Sequence, residues 1–267
     1  MVETTLNYLA EMTERPVYYL HEPPPGTPWR NTKGDRRRVA IHDARRLIPS
    51  PSLDREGFVL GRLETTVTDL YDASTVRDVY YREVERLVAA LTGATRVLAF
   101  DHNVRSGRVA ARSENGVQGP VRFAHNDYTE RSSPQRVRDL LGASAAEPLL
   151  RHRFAVINVW KPIRGPVREA PLAICDARTL QPGDLVPTDL RYRERTGEVY
   201  SLTFNPTHRW FYYPDMRAHE ALVFKCFDSD ATRARLTAHT AFDDPTSPTD
   251  APPRESIEVR ALAFFSS

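Results

Sequence analysis

The stretch Arg153–Asp176, RFAVINVWKPIRGPVREAPLAICD, sets two apolar runs on either side of a turn. Arg153–Trp160 and the run from Leu172 to Ala177 each have strand length and are rich in Val, Ile and aromatic residues, and Pro162, Gly165 and Pro166 punctuate the segment between them. Side chains alternate along a strand, so Asn158 and Trp160 share one face. Runs of the same kind recur outward in both directions, at Arg96–Asp101, Val121–Ala124, Tyr200–Phe204, Trp210–Tyr213, Ala221–Phe227 and Ile257–Phe265. Many short strands with Pro, Gly and Asp between them predict a mainly β (α+β) chain with a jelly-roll sandwich or barrel at its core. Two helices are expected outside it. One starts at Ser74 as N-cap, carries Val76, Val79, Tyr80, Leu87, Val88 and Leu91 near helical period, and stops at Gly93. The other is Gln135–Leu141, stopped by Gly142. Residues 1–267 read as one domain, with a proline-rich N-terminal arm over 1–60 packed on a β core over 95–267.

Composition narrows the function. With 40% hydrophobic residues the chain can bury a sizeable core. Its 37 basic and 35 acidic side chains nearly cancel, and the cations are scattered, whereas a nucleic-acid footprint needs them clustered. Cys175 and Cys226 lie far apart in apolar surroundings and read as buried thiols. The opening residues, MVETTLNYLAEMTERP, carry acids where a signal peptide needs an apolar segment, and no run of 18 apolar residues suggests a membrane span. A cytoplasmic protein without nucleic-acid or membrane partners is the expectation.

The chemistry concentrates in His125-Asn126-Asp127, His239 and Arg254-Glu255-Ser256. Two imidazoles and one carboxylate are the ligand set of a mononuclear non-haem Fe(II) site. His125 and Asp127 stand at i and i+2, so both can point inward from one strand end. A His-x-Asp triplet arises by chance in roughly one of two chains of this composition, so its context carries the argument. That context is His239, in LTAHTAF, followed by a final strand that opens with Arg254 and Ser256, again at i and i+2. The planar fork of Arg matches a carboxylate bidentately, and with the serine hydroxyl it suits the distal carboxylate of 2-oxoglutarate. The expected set is therefore His125, Asp127 and His239 on the metal, with Arg254, Ser256 and Asn158 toward the cosubstrate.

Four stretches, Phe154–Asp176, Phe204–Pro214 (FNPTHRWFYYP), Glu220–Ser229 (EALVFKCFDS) and His239–Arg260 (HTAFDDPTSPTDAPPRESIEVR), carry a family resemblance. The chain resembles the 2-oxoglutarate-dependent oxygenases of the cephamycin C7-hydroxylase type, grouped with AsaB-like and gibberellin desaturase-like proteins. The resemblance implies a double-stranded β-helix (cupin-like) and the use of Fe(II), 2-oxoglutarate and O₂. It also implies hydroxylation, desaturation or oxidative cyclisation of a small specialised metabolite, amino-acid-derived or otherwise carboxylated. The oligomeric state is not implied.

Competing readings attach to several residues. His208 rivals His239 as third ligand, but Arg217, nine residues on, lacks a hydroxyl partner, so a packing role suits His208 better. His102 is expected to be hydrogen-bonded and structural; His21, His42, His152 and His219 are expected at the surface. Arg122 and Tyr128 flank the triplet and could touch substrate. The cluster Trp210, Phe211, Tyr212 and Tyr213 reads as core, and Arg260 is the alternative anchor to Arg254. Among whole-protein readings, a cosubstrate-independent iron oxidase and a non-catalytic cupin-like binding protein are the alternatives. A zinc hydrolase lacks its usual motifs.

Overall fold

The computed structural model describes residues 1–107 and 118–266. Its strands are β1 (Val2–Leu9), β2 (Val17–Tyr19), β3 (Gly34–Asp43), β4 (Phe58–Arg62), β5 (Arg96–Ser106), β6 (His125–Asn126), β7 (Phe154–Pro162), β8 (Leu172–Cys175), β9 (Leu185–Arg191), β10 (Thr196–Leu202), β11 (Trp210–Tyr212), β12 (Glu220–Asp228), β13 (His239–Ala241) and β14 (Glu255–Phe264). They form a nine-stranded sheet, β1-β3-β11-β8-β13-β6-β10-β9-β2, and a five-stranded sheet, β4-β12-β7-β14-β5. Together they make the double-stranded β-helix.

β7 shows why the sequence folds this way. It lies inside the smaller sheet, paired on one side with β12 and on the other with β14, and every one of its residues is buried. Val156 and Trp160 point between the sheets, beside Phe224 and Leu262 of the neighbouring strands. Ala155, Ile157 and Val159 point the other way, into a cluster with Val76, Tyr80, Val84 and Val88. Those four belong to helix α1, which runs through Ala73–Thr75, a π-type turn at Val76–Tyr80 and Tyr81–Thr92. A strand covered on both faces needs an unbroken apolar run rather than alternation. Each such side chain contributes about 1.5–3 kcal/mol when withdrawn from water. The nine-stranded sheet is also two-faced: Ile174 and Phe211 point between the sheets, while Ala173, Cys175 and Trp210 pack outside with Leu6, Tyr8 and Ile41.

Several local expectations need correcting. The 1–60 stretch is not an arm laid on the core. β1 pairs with β3 over eight residues and β4 pairs with β12, so this stretch completes an edge of each sheet. Its prolines fall between the strands, leaving Leu6, Tyr8 and Leu9 free to bury. Val121–Ala124 is irregular rather than a strand, and pairing begins only at His125. β9, which contains Pro187, was not anticipated. Helix α1 is capped by Asp72, whose side chain accepts from the Ser74 amide, and it ends at Gly93 in the left-handed region (φ 72°). Helix α2 spans Ser132–Leu141, and α3 (Ala143–Leu150) follows it directly. Among the described residues no helix is long and apolar enough to cross a membrane. Cys175 and Cys226 are buried free thiols.

Candidate active site

β6 and β13 are neighbours in the nine-stranded sheet, with His125 directly opposite His239 and His239 opposite the inward-facing Ile174. The two imidazoles therefore project between the sheets, their ring centroids 4.3 Å apart. Asp127 follows β6 by one residue. One ligand atom from each of His125, Asp127 and His239 lies within 4.8 Å of the others, a grouping that could hold a metal ion.

The tautomer of His125 is set by its surroundings. Its Nδ1 stands 2.7 Å from the Phe123 carbonyl and so donates there, which leaves the Nε2 lone pair, 3.5 Å from Asp127 Oδ1, for a ligand. Asp127 Oδ2 accepts from Asn158 Nδ2 at 2.8 Å and from Arg260 Nε at 2.9 Å. Burial alone would raise the Asp127 pKa. The Arg260 guanidinium, with smaller contributions from the two histidines, outweighs it and holds the carboxyl well below the usual range. Burial and the neighbouring His125 push the His239 pKa well down, so its imidazole stays neutral. An ionised carboxylate and neutral imidazoles are the forms a divalent metal needs. His239 Nδ1 is buried without a hydrogen-bond partner, an atom whose burial is costly unless something binds there.

Arg254, one residue before β14, and Ser256, on its inner face, are both buried. Arg254 donates through Nη1 to the Ala170 carbonyl at 2.5 Å, its guanidinium lies 5.4 Å from the Trp160 ring centre, and its Nε has no partner among the described residues. Asn158 faces inward, as its alternation with Trp160 implies, but its amide NH₂ is committed to Asp127. Arg260 is likewise occupied, by Asp127, by Asp101 at 3.2 Å and by Glu258 at 3.2 Å. The alternation that pairs Arg254 with Ser256 carries Glu258 and Arg260 onto the same face, a signal present in the sequence.

A cavity of about 1300 Å³ opens beside His125 and Asp127. Tyr128 and Arg122 line it, as do residues for which the sequence offers no motif: Arg105 of β5, Arg136 of α2, Tyr18 and Arg15 near the N-terminus, and Tyr192 and Arg195 at the β9–β10 turn. The other candidates lie elsewhere. His208 is packed 5.9 Å from the Tyr8 ring with Nε2 3.0 Å from Asp184, and His102 meets the Tyr81 hydroxyl at 2.9 Å. Trp210, Phe211, Tyr212 and Tyr213 are core.

The family described as oxidoreductase/YMDC permease-like domain matches residues 6–264. The chain is similar to the Fe(II)/2-oxoglutarate-dependent dioxygenase nvfI of Aspergillus novofumigatus, at 36% identity over 94% of this chain and 92% of that protein. It is also similar to the hydroxylase/desaturase efuI of Hormonema carpetanum, at 31% identity over 99% and 95% of the two chains. Among solved structures, one of the iron and alpha-ketoglutarate-dependent endoperoxidase NvfI superimposes with a TM-score of 0.88 at 32% identity, covering 99% of this chain and 98% of that one.

Proposed function

From the premise that the chain belongs to the oxidoreductase/YMDC permease-like family and is an Fe(II)/2-oxoglutarate-dependent oxygenase of secondary metabolism like its relatives, we propose that His125, Asp127 and His239 hold the iron. The observation that carries this is the meeting of their three ligand atoms within 4.8 Å, at the head of a cavity large enough for a small metabolite. Bound there, iron with 2-oxoglutarate and O₂ supplies the power to remove hydrogen from an unactivated C–H bond.

The chain's own residues prepare that chemistry. The Phe123 carbonyl holds a proton on His125 Nδ1, so Nε2 is the nitrogen turned toward the metal position. Arg260 keeps Asp127 ionised, and with Asn158 it engages one of the carboxylate oxygens. Arg254 and Ser256 grip the distal carboxylate of 2-oxoglutarate, the orphan Arg254 Nε supplying a donor with no other use. Phe224, whose ring centre lies 4.8 Å from that of His239, walls the metal position from bulk water on one side. Residues 1–267 act as one domain. The free buried thiols Cys175 and Cys226 accord with a reducing cytoplasm.

Anaerobic addition of Fe(II) and then 2-oxoglutarate should raise the weak visible band of the metal–keto-acid chelate, and Asp127→Ala should abolish both the band and succinate formation. Succinate release by Asp127→Ala in metal-cleared buffer at the wild-type rate would overturn the ligand assignment. Oxygen uptake by wild type without 2-oxoglutarate would favour a cosubstrate-independent oxidase.

A further inference from the structure

The wall of the active-site cavity is strongly cationic: nine arginines face five carboxylates. Many of these charges are paired, as Arg15 is with Asp189 and Glu198. Arg30, Arg105, Arg136 and Arg195 have no carboxylate oxygen within 4.0 Å among the described residues. Two of these four are half-buried. Arg105 lies directly across from Ser256 in the β5–β14 pairing. Arg136 places its guanidinium 5.0 Å from the Phe100 ring centre, and Phe100 meets the ring of Tyr128, the neighbour of Asp127, edge-on at 6.4 Å.

Arg105 is unfinished in a specific way. Its Nη1 donates to Gln118 Oε1 at 3.2 Å and to the Gly119 carbonyl at 3.0 Å. The Nε–Nη2 edge meets no partner among the described residues, and that edge is the fork that grips a carboxylate bidentately. Burial lowers the Arg105 pKa, the mark of a cation withdrawn from water without an adequate counter-charge. Arg136 Nε is buried and has no partner among the described residues. Arg254 and Ser256, assigned above to the cosubstrate, do not line the open cavity. An anion bound in the cavity would complete Arg105 and Arg136 from the side that Arg254 and Ser256 do not reach. The cavity volume exceeds the roughly 300–1,000 Å³ of common ligand pockets, leaving room for a multi-ring body against Tyr18, Leu20 and Val121.

We propose that the substrate is a carboxylate-bearing small molecule with a bulky apolar body, its carboxylate docked on the free edge of Arg105 with Arg136 as the second cation. The proposal rests on the oxygenase reading for what then happens to that molecule, but not for the docking itself. Docking can be measured without turnover, by calorimetric titration of metal-free protein and of protein loaded with Mn(II) and saturating 2-oxoglutarate. The probes are adamantane carboxylate, its methyl ester and inorganic phosphate.

The acid should bind at least about tenfold tighter than the ester in both forms of the protein, and tighter than phosphate. Arg105→Gln should erase that preference while leaving ester affinity unchanged; Arg105→Lys should keep part of it, and Arg136→Gln should cost the acid about threefold. Equal binding of acid and ester would overturn the proposal, as would phosphate binding as tightly as the acid. A fall in 2-oxoglutarate affinity in Arg105→Gln equal to the fall for the acid would also overturn it, by assigning Arg105 to the cosubstrate. Failure of Mn(II) to bind wild type would sink the iron reading alone, since the metal-free titration still decides the docking.

Discussion

Arg260 Nε stands 2.9 Å from Asp127 Oδ2, the oxygen that also accepts from Asn158, so one face of this carboxylate is fully engaged and Oδ1 is turned toward His125. Partners that orient a metal ligand contribute to metal affinity without touching the metal. Arg260→Met should weaken Fe(II) binding about 10–100-fold, and Arg260→Lys, which keeps the charge but loses the fork, should fall between it and wild type. Anaerobic Fe(II) titration monitored by protein fluorescence checks this. Wild-type affinity in Arg260→Met would mean that the Asp127 geometry is held by Asn158 and the backbone alone.

Arg254 offers a sharper separation. Its Nη1 is tied to the Ala170 carbonyl and its Nε is free, so a planar fork is presented that lysine cannot reproduce. Arg254→Lys should leave Fe(II) affinity within about twofold of wild type and raise the 2-oxoglutarate Kd by at least about tenfold, a loss of one charge-assisted contact. The chelate band, followed against 2-oxoglutarate concentration, reads both. An unchanged 2-oxoglutarate Kd would place the anchor elsewhere on β14 or β5.

The contrast between these two arginines shows how far the sequence could be read. Arg260 lies on the inner face of β14 and Arg254 stands one residue before the strand; simple alternation puts both on that side, but alternation gives a face and not a partner. Arg260 meets Asp127 because β14 pairs with β7, bringing Arg260 opposite Asn158 and both beneath a loop that lies 133 residues upstream of Arg260 and 31 upstream of Asn158. The His125–His239 pairing is long-range in the same way, yet two imidazoles and a carboxylate are a chemically restrictive enough set to single these residues out by type, and the fold brings their ligand atoms within 4.8 Å of one another. The strands of β7, β8, β12 and β14 were legible because buried two-faced strands leave apolar runs. β9 was not, because Pro187 and its charged neighbours sit near a sheet edge where a missing N–H is tolerated. Four arginines of the cavity wall, Arg30, Arg105, Arg136 and Arg195, carry no local signature at all. They come from four separate segments, and only the closed fold gathers them.

Acid sensitivity should trace in part to Glu198, on the cavity wall. Burial would raise its pKa, but the Thr129 hydroxyl and the guanidinium groups of Arg15 and Arg131 outweigh it and hold the folded-state value below the ordinary 4.5. A carboxylate with a depressed folded pKa adds stability that is fully present above its unfolded pKa and is lost as pH falls through the folded one. Glu198→Gln should therefore be less stable than wild type by about 1–2 kcal/mol at neutral pH, with the difference shrinking below pH ~4.5. Urea unfolding at neutral and acid pH measures it. A constant difference across that range would show that Glu198 acts through packing rather than charge.

Asp228, at the end of β12, should be among the costliest residues to lose. Its carboxylate is fully buried and lies 2.7 Å from Lys225 Nζ and 2.7 Å from Arg153 Nη2, while its Oδ1 also accepts from the Asp230 amide at 3.0 Å. Lys225 is itself only 1% exposed, so removing the acid strands a buried ammonium whose one remaining carboxylate is the half-exposed Asp54 at 2.9 Å. Leaving a buried charge uncompensated costs about 3–5 kcal/mol, and the surviving Asp54 contact sets the expectation for Asp228→Ala at the lower end, about 3 kcal/mol. Asp228→Ala combined with Lys225→Met should recover most of that loss, because the stranded charge is gone and an apolar side chain of similar length takes its place. Chemical denaturation of the single and double variants decides the point: a double variant no more stable than Asp228→Ala would mean that the cost lies in Arg153 and the Asp230 turn rather than in the buried lysine.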